Sequence, residues 1–481
     1  ISKKSISMNS ISIFEIFKIG IGPSSSHAMG PWKASTDFLS RIKIKRKSLS
    51  ECISIDIELF GSLAKTGIGH GTDKSIMMGL CGYNMEEFET KQLKENISTI
   101  EKSRSILLLG EKSIPFDPKL NIIFNYSTVS STHSNMMQFQ IKFEDGSKET
   151  ETYYSIGGGF IERKGSLNKS ITKPEIPFPV QTASEMINWC ESNNMTIAQI
   201  SRENELQWKS LDQINSRIDK IWHVMLDSIF EGCTSPGILP GGLNVERRAA
   251  QLCSNLLGQS EFLSQDEWLN LIYKMPNEME SVTNWVSCFA LAVNEVNASY
   301  GKIVTAPTNG AAGVIPSVLL YDCIFRKNNS KEKIREFLLV AGEIGMLFKK
   351  GATISAAAGG CQAEIGVSSA MAAGALSHSM GGNIHQVLMA AEIAMEHHLG
   401  LSCDPVGGLV QIPCIERNTM GAMKAITAAQ LSSHTDPKNA KVSLDTVIKT
   451  MWETSKDMNS KYKETAEGGL AVQISVNQPE C

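Results

Sequence analysis

Hydrophobic period changes once along this chain, and that change limits the folds open to it. The run CISIDIELF (52–60) alternates apolar and polar residues, setting Ile53, Ile55, Ile57 and Leu59 on one face. Period two is the pattern of a half-buried strand. Residues 120–126, 137–143 and, more weakly, 149–155 are further strand candidates, while 35–39 and 72–80 read as helical. The first third is therefore expected to be a mixed α/β domain. Residues 162–181, with several Lys and Ser and with Pro174, Pro177 and Pro179, read as a linker. Beyond it the period becomes helical, as in 214–230 and 282–296, with almost no convincing strand. The expected class is α+β: an α/β domain over 11–161, a linker over 162–181, an all-α domain over 182–476 and a tail over 477–481. A length of 481 residues exceeds what one core usually serves, which agrees with two domains.

Composition narrows the function classes. A net charge of −4 provides no basic field for nucleic acid and no polybasic membrane anchor. Eleven cysteines, odd in number and without framework spacing, point to a reducing compartment rather than a disulfide scaffold. Residues 352–376 are weakly polar but include Gln362 and Glu364 among many Gly, Ala and Ser, so they read as tightly packed soluble helix and not as a membrane span. The chain opens on Ile1 and carries lysines and serines but no acid before Glu15. The expectation is a trimmed leader or a fragment end, with a cytoplasmic setting and a mitochondrial one as the alternative.

Three cysteines sit where turns meet predicted helices. Cys361 follows Gly359-Gly360, Cys403 precedes Asp404-Pro405, and Cys414 follows Pro413. Gly and Pro fix non-helical backbone at such points, which lets sulfurs converge on one place. Pro413 as first helical residue would set the Cys414 thiolate near a positive helix end. The separations, 42 and then 11 positions, match neither a ferredoxin run nor paired zinc Cys-x-x-Cys. Spacing alone leaves zinc, iron-sulfur and plain buried thiols all open. A fourth cysteine, Cys481, ends the chain.

Polar motifs lie elsewhere. Gly22-Pro23-Ser24-Ser25-Ser26-His27 precedes an expected helix at Ala28, where a Ser cap and free N–H groups suit a carboxylate guest. The turn Gly67 to Asp73 carries His70, a candidate general base, with Thr72 and Asp73. Asn309 lies in the irregular stretch TAPTNGAAG (305–313). Each motif alone would be an ordinary cap, structural histidine or loop. Gly157-Gly158-Gly159 looks like a pyridoxal-phosphate glycine loop, but no Lys has a convincing Schiff-base setting.

Together, GIGPSSSHAMGP, GSLAKTGIGHGTD, YSIGGGF, EGCTSPGILPGGLN, VTAPTNGAAGVIP, SAAAGGCQAEIGVSSAMAAG and CDPVGGLVQIPCIERN resemble the signature blocks of iron-sulfur L-serine dehydratases, in order along one chain. Small departures are Met29 after the His-Ala pair and Ser134 where Pro is expected. The resemblance implies a carbon–nitrogen lyase of amino-acid catabolism and gluconeogenesis. It would convert L-serine to pyruvate and ammonia with a [4Fe-4S] cluster and without PLP. Carried over by motif, the metal ligands are Cys361, Cys403 and Cys414, which leaves one iron open as a Lewis acid. His70 is then the expected base for the α-proton. Ser24, Ser25, Ser26, His27, Thr72, Asp73 and Asn309 are expected to hold the carboxylate and ammonium. The first domain resembles allosteric substrate-binding domains, the site is expected between domains, and a homodimer is expected by analogy.

Two other classes bear on the same residues. An electron carrier would want every iron ligated, and an aconitase- or fumarase-like hydro-lyase would want several Arg clamps where this chain offers only Arg417. Leu470 to Val476 is apolar enough to dock, so Cys481 is a candidate metal ligand, capping the open iron at rest and yielding to serine.

Overall fold

The computed structural model describes residues 11–127, 133–165 and 174–474. A five-stranded sheet forms the N-terminal unit from β2 (Cys52–Phe60), β5 (Ile122–Asn125), β6 (Met136–Phe143), β7 (Lys148–Ser155) and β8 (Ile161–Arg163). Its order is β5-β2-β6-β7-β8, with β5 parallel to β2 and the other pairs antiparallel. β3 (Ser105–Leu108) and β4 (Lys112–Pro115) form a separate hairpin. Helices α1 (Gly30–Arg46) and α2 (Thr72–Leu80) pack together, and α1 covers one sheet face. There Phe38 stacks on Phe139 with centroids 5.2 Å apart.

The strand read from CISIDIELF has the expected limits, but its faces differ at the start. Register shifts between Cys52 and Ser54, and this bulge leaves Cys52 buried and Ile53 45% exposed. Ile55, Ile57 and Leu59 keep the buried face. An extra residue in one strand exchanges the faces on either side of it, which alternation alone does not reveal. Residues 120–121 belong to a short turn of helix, Pro118–Asn121, so only 122–125 pair as strand.

The C-terminal unit is helical, as expected, around its own core. Its main helices are α3 (Leu211–Thr234), α4 (Met279–Ala298), α5 (Lys331–Gly351), α6 (Ile365–Ser379), α7 (Ile384–Glu396), α8 (Cys414–Ser433) and α9 (Leu444–Asp457). Helix α6 is buried on all sides from Ile365 to Ser377, packed by α5, α7 and α8. A helix without a polar face belongs in a core, and its Ala and Gly let neighbours approach. The stretch expected as one packed helix over 352–376 is broken: Ala356–Gly359 and Cys361–Ala363 are short turns before α6.

The two units are tied by chain crossing. Ile13, Ile16, Phe17 and Ile19 lie in the helical core although they precede the sheet. β1 (Ile19–Ile21) pairs antiparallel with β9 (Lys302–Val304), a strand inside the helical unit that helical periodicity does not announce. That pairing brings the Ser24–His27 segment and the 305–313 loop together. Asn309 Nδ2 donates to Ile21 O at 3.2 Å, and Asn297 Nδ2 to Pro23 O at 2.8 Å. Among the described residues no helix is long and apolar enough to cross a membrane.

Candidate active site and metal centre

Ser24 caps a π-helical turn, Ser25–Met29, by accepting from His27 N, and the turn runs into α1 at Gly30. Ser25, Ser26 and His27 are all buried in it. Across from it, the 66–72 turn presents His70, whose ring stacks on His27 with centroids 4.4 Å apart. His70 Nδ1 lies 2.9 Å from Thr66 O. A carbonyl only accepts, so Nδ1 carries the proton and Nε2 keeps its lone pair. Burial, and then the charge of His27, push the His70 pKa down to about 3, so the ring is neutral, with an unprotonated Nε2.

His27 is held on both sides. Ser26 Oγ lies 2.9 Å from its Nδ1, while Ser62 Oγ and Thr66 Oγ1 lie 3.1 and 3.0 Å from its Nε2. Glu464 Oε1 accepts from Ser26 Oγ at 3.1 Å and is 3.5 Å from His27 Nδ1. Burial pushes the Glu464 carboxyl up, but His27 and the hydrogen bond from Ser26 outweigh it and hold it below the usual carboxylate range. His27, His70 and Glu464 form one buried group whose donor atoms all lie within 4.8 Å of one another.

Cys361 and Cys403 form a second group with Glu364, and Cys414 lies near enough to feel the charge of Cys361 without joining that group. Gly360, at φ +71°, turns the chain into Cys361, and a Cβ there would meet Leu401 O at 2.8 Å. Cys403 is placed by a single bridge to the C-terminal segment: its N–H donates to Tyr462 O at 2.7 Å, and Glu464 N–H donates to Cys403 O at 3.0 Å. One backbone contact therefore sets both the Cys403 sulfur and the Glu464 carboxylate. Cys414 opens α8, with Pro413 one position earlier as the non-helical cap rather than as first helical residue. Asn418 Nδ2 donates to Cys414 O and to Gly310 O, joining α8 to the 305–313 loop.

Electrostatics separate the three sulfurs. The Cys403 hydrogen bond, opposed by burial and helped by Arg417, pulls the Cys361 thiol down to about 7. The same hydrogen bond, with burial, pushes Cys403 up. Burial and the nearby Cys361 push Cys414 up, so the helix end does not dominate there. Arg417 Nη1 donates to Cys361 Sγ at 3.2 Å and to Ser402 O at 2.7 Å, and Nη2 to Asp404 Oδ1 at 2.9 Å. Cys361, Cys403 and Glu364 have ligand atoms within 4.8 Å of one another. Buried sulfurs, a supporting cation and apolar walls from Ala311, Ala356 and Ile365 suit a thiophilic metal centre.

The remaining expected residues divide. Thr72 Oγ1 is committed to His27 O at 2.7 Å, so it holds the loop. Asp73 is pushed up by burial and has Lys74 and Glu101 as charged neighbours. Asn309 spends its N–H groups on Ile21 O and Asn297 Oδ1, and its Oδ1 is buried with no partner among the described residues. Cys481 lies outside the described residues. A solvent-facing cavity of about 200 Å³, lined by Ser62, Thr66, Tyr126 and Glu464, reaches the histidine group from outside.

Residues 12–166 match the family model of the serine dehydratase beta chain, and 192–471 that of the alpha chain. The chain belongs to the serine dehydratase family. It is 43% identical to an L-serine dehydratase of Streptomyces coelicolor, over 96% of this chain and 99% of that one. It is 42% identical to L-serine dehydratases of Haemophilus influenzae (97% and 100% covered) and Helicobacter pylori (96% and 99%). Both serine dehydratase parts meet at the site, the histidines from the beta part and the thiols from the alpha part. Sequence reasoning missed Glu464, Glu364, Ser62 and Thr66. The one available signal for Glu464 was its place, with Glu467, in the short segment before Gly468-Gly469.

Proposed function

We propose that this chain is an L-serine ammonia-lyase acting through a [4Fe-4S] cluster held by Cys361, Cys403 and Cys414. The observation that carries the reading is the neutral, buried His70 on the histidine group that adjoins the thiol group, both within one site of a serine dehydratase family member. When bound, a cluster with one iron lacking a cysteine from this set supplies Lewis acidity toward the substrate hydroxyl. His70 Nε2 takes the α-proton, with Thr66 O holding its Nδ1–H. His27, fixed by Ser26, Ser62 and Thr66, packs against His70 and sets its orientation. Ser24, Ser25 and Ser26, on the buried turn that carries His27, are the proposed dock for the substrate carboxylate. Loss of the α-proton and the β-hydroxyl gives aminoacrylate and water. Tautomerisation gives an imine, and hydrolysis of that imine gives pyruvate and ammonia.

A homodimer in a cytoplasmic setting belongs to the same proposal. The test is anaerobic: iron and sulfide content together with pyruvate release from L-serine, compared with L-threonine and D-serine. His70→Ala is expected to keep iron, sulfide and the visible absorbance while losing at least about 100-fold in kcat. Zinc without sulfide, or substantial turnover by the Ala variant, would sink the cluster or the base assignment respectively.

A further inference from the structure

L-Serine and L-glycerate have the same size, carboxylate and β-hydroxyl; they differ only in an α-ammonium against an α-hydroxyl. An enzyme that takes the amino acid needs a group that recognises that cation. Resting on the substrate reading above, we infer that the Glu464 carboxylate receives the α-ammonium of the substrate through Oε2.

Four observations point there. Glu464 is 7% exposed, and its two oxygens are unequal: Oε1 serves Ser26 and His27, whereas Oε2 is buried with no partner among the described residues. A buried carboxylate oxygen without a donor is costly, and the cost is met when a donor arrives with the ligand. No lysine or arginine among the described residues pairs with Glu464. Among the described residues its ion-pair partner is His27, through Oε1, which leaves Oε2 to a donor from outside.

The backbone is shaped for this. Glu464 adopts φ +56°, a left-handed conformation that non-glycine residues rarely take and that needs surrounding contacts to hold it. Those contacts are present: the Cys403 bridge on one side, and Leu470 N–H donating to Asp404 Oδ2 at 2.8 Å on the other. The strap 462–470 therefore aims one carboxylate at the histidine group. A cavity lined by Ser62, Lys65, Thr66, Tyr126 and Glu464 lies against this residue, and its lysine is paired with Glu467. On the 305–313 loop, Asn309 Oδ1 is also buried without a partner among the described residues, as an acceptor for another of the ammonium's N–H groups.

The experiment compares Glu464→Gln with wild type in the cluster-loaded enzyme, reading KM for L-serine and the competitive Ki of L-glycerate. Gln keeps the shape and an acceptor for Ser26 but removes the charge. The expected result is a rise of about 30-fold or more in the serine constant with the glycerate constant moved less than about threefold. Equal changes in both constants, or a fall in kcat with the preference intact, would mean that Glu464 only positions His27, and the inference falls. Should the Gln variant not fold, Glu464→Asp, which draws the charge back by one methylene, is read instead: a partial loss of preference supports the inference and an unchanged one overturns it. If wild type neither binds nor turns over L-serine, the substrate reading fails first and this inference with it; if wild type turns over serine and the variant keeps its preference, only the Glu464 inference fails.

Discussion

Replacing Arg417 by Gln tests how the thiol group is held, because one side chain carries three contacts there. Its bond to Asp404 is a buried ion pair, with side chains 15% and 6% exposed, and its other donors serve Ser402 O and Cys361 Sγ. Gln can reach at most one of these acceptors. The main cost is the Asp404 carboxylate left buried without its cation, although Leu470 N–H and Ser402 Oγ still donate to it. Removing one partner of a buried pair costs about 3–5 kcal/mol, mostly as that uncompensated charge. Arg417→Gln is therefore expected to lower the unfolding free energy by about this amount. Asp404→Asn should be destabilising alone yet recover about 1–3 kcal/mol in the Gln background, because it removes the stranded charge. The assay is urea denaturation of the metal-free protein under reducing, anaerobic conditions, followed by tryptophan fluorescence. The variant should also retain less iron after reconstitution, since Arg417 is the cation facing Cys361. Additivity of the two substitutions within about 0.5 kcal/mol would refute the reasoning.

Burial pushes the Glu205 carboxyl up to about 7, against hydrogen bonds from Ile13 N and Ser12. The folded chain thus keeps a proton that the unfolded chain releases near pH 4.5; the contribution is full below that pH and is lost as pH rises to about 7. Glu205→Gln should flatten stability across this window by up to about 3 kcal/mol, read as urea midpoints at pH 5 and 8, and an unchanged slope would contradict it. For the chain end, deleting Cys481 is expected to abolish any activation lag and shorten the lifetime of activity in air; an unaltered lag and lifetime would remove it from the proposed ligand set.

Local rules went far along this chain. Alternation located the strands at 52–60, 137–143 and 148–155 within a residue or so, and 72–80 is helical over its full expected length. Where local rules failed, a nonlocal contact decided. The bulge beside Cys52 exchanged the faces of Ile53 and its neighbour because strand β6 sets the register. β9 is three residues long and exists through its pairing with β1 across about 280 residues, which no local period encodes. Burial likewise raised the Cys414 thiol at a helix start, where sequence position suggested a stabilised thiolate.

The same division holds at the site. Residue type and turn chemistry marked Cys361, Cys403, Cys414, Ser24 to His27, His70 and Asn309, because Gly, Pro and Ser punctuate backbone in ways that are visible locally. The sequence by itself thus determined two periodic regions, a set of chemically equipped turns and the family they resemble. Only the tertiary structure decided that His27 stacks on His70, that Thr66 O selects the tautomer, and that one bridge between Cys403 and Glu464 joins thiol and histidine groups. The physical reason is that a proton's place, a buried charge and a shared site each depend on what lies within about 4 Å in space, and the residues that meet here are drawn from both ends of the chain.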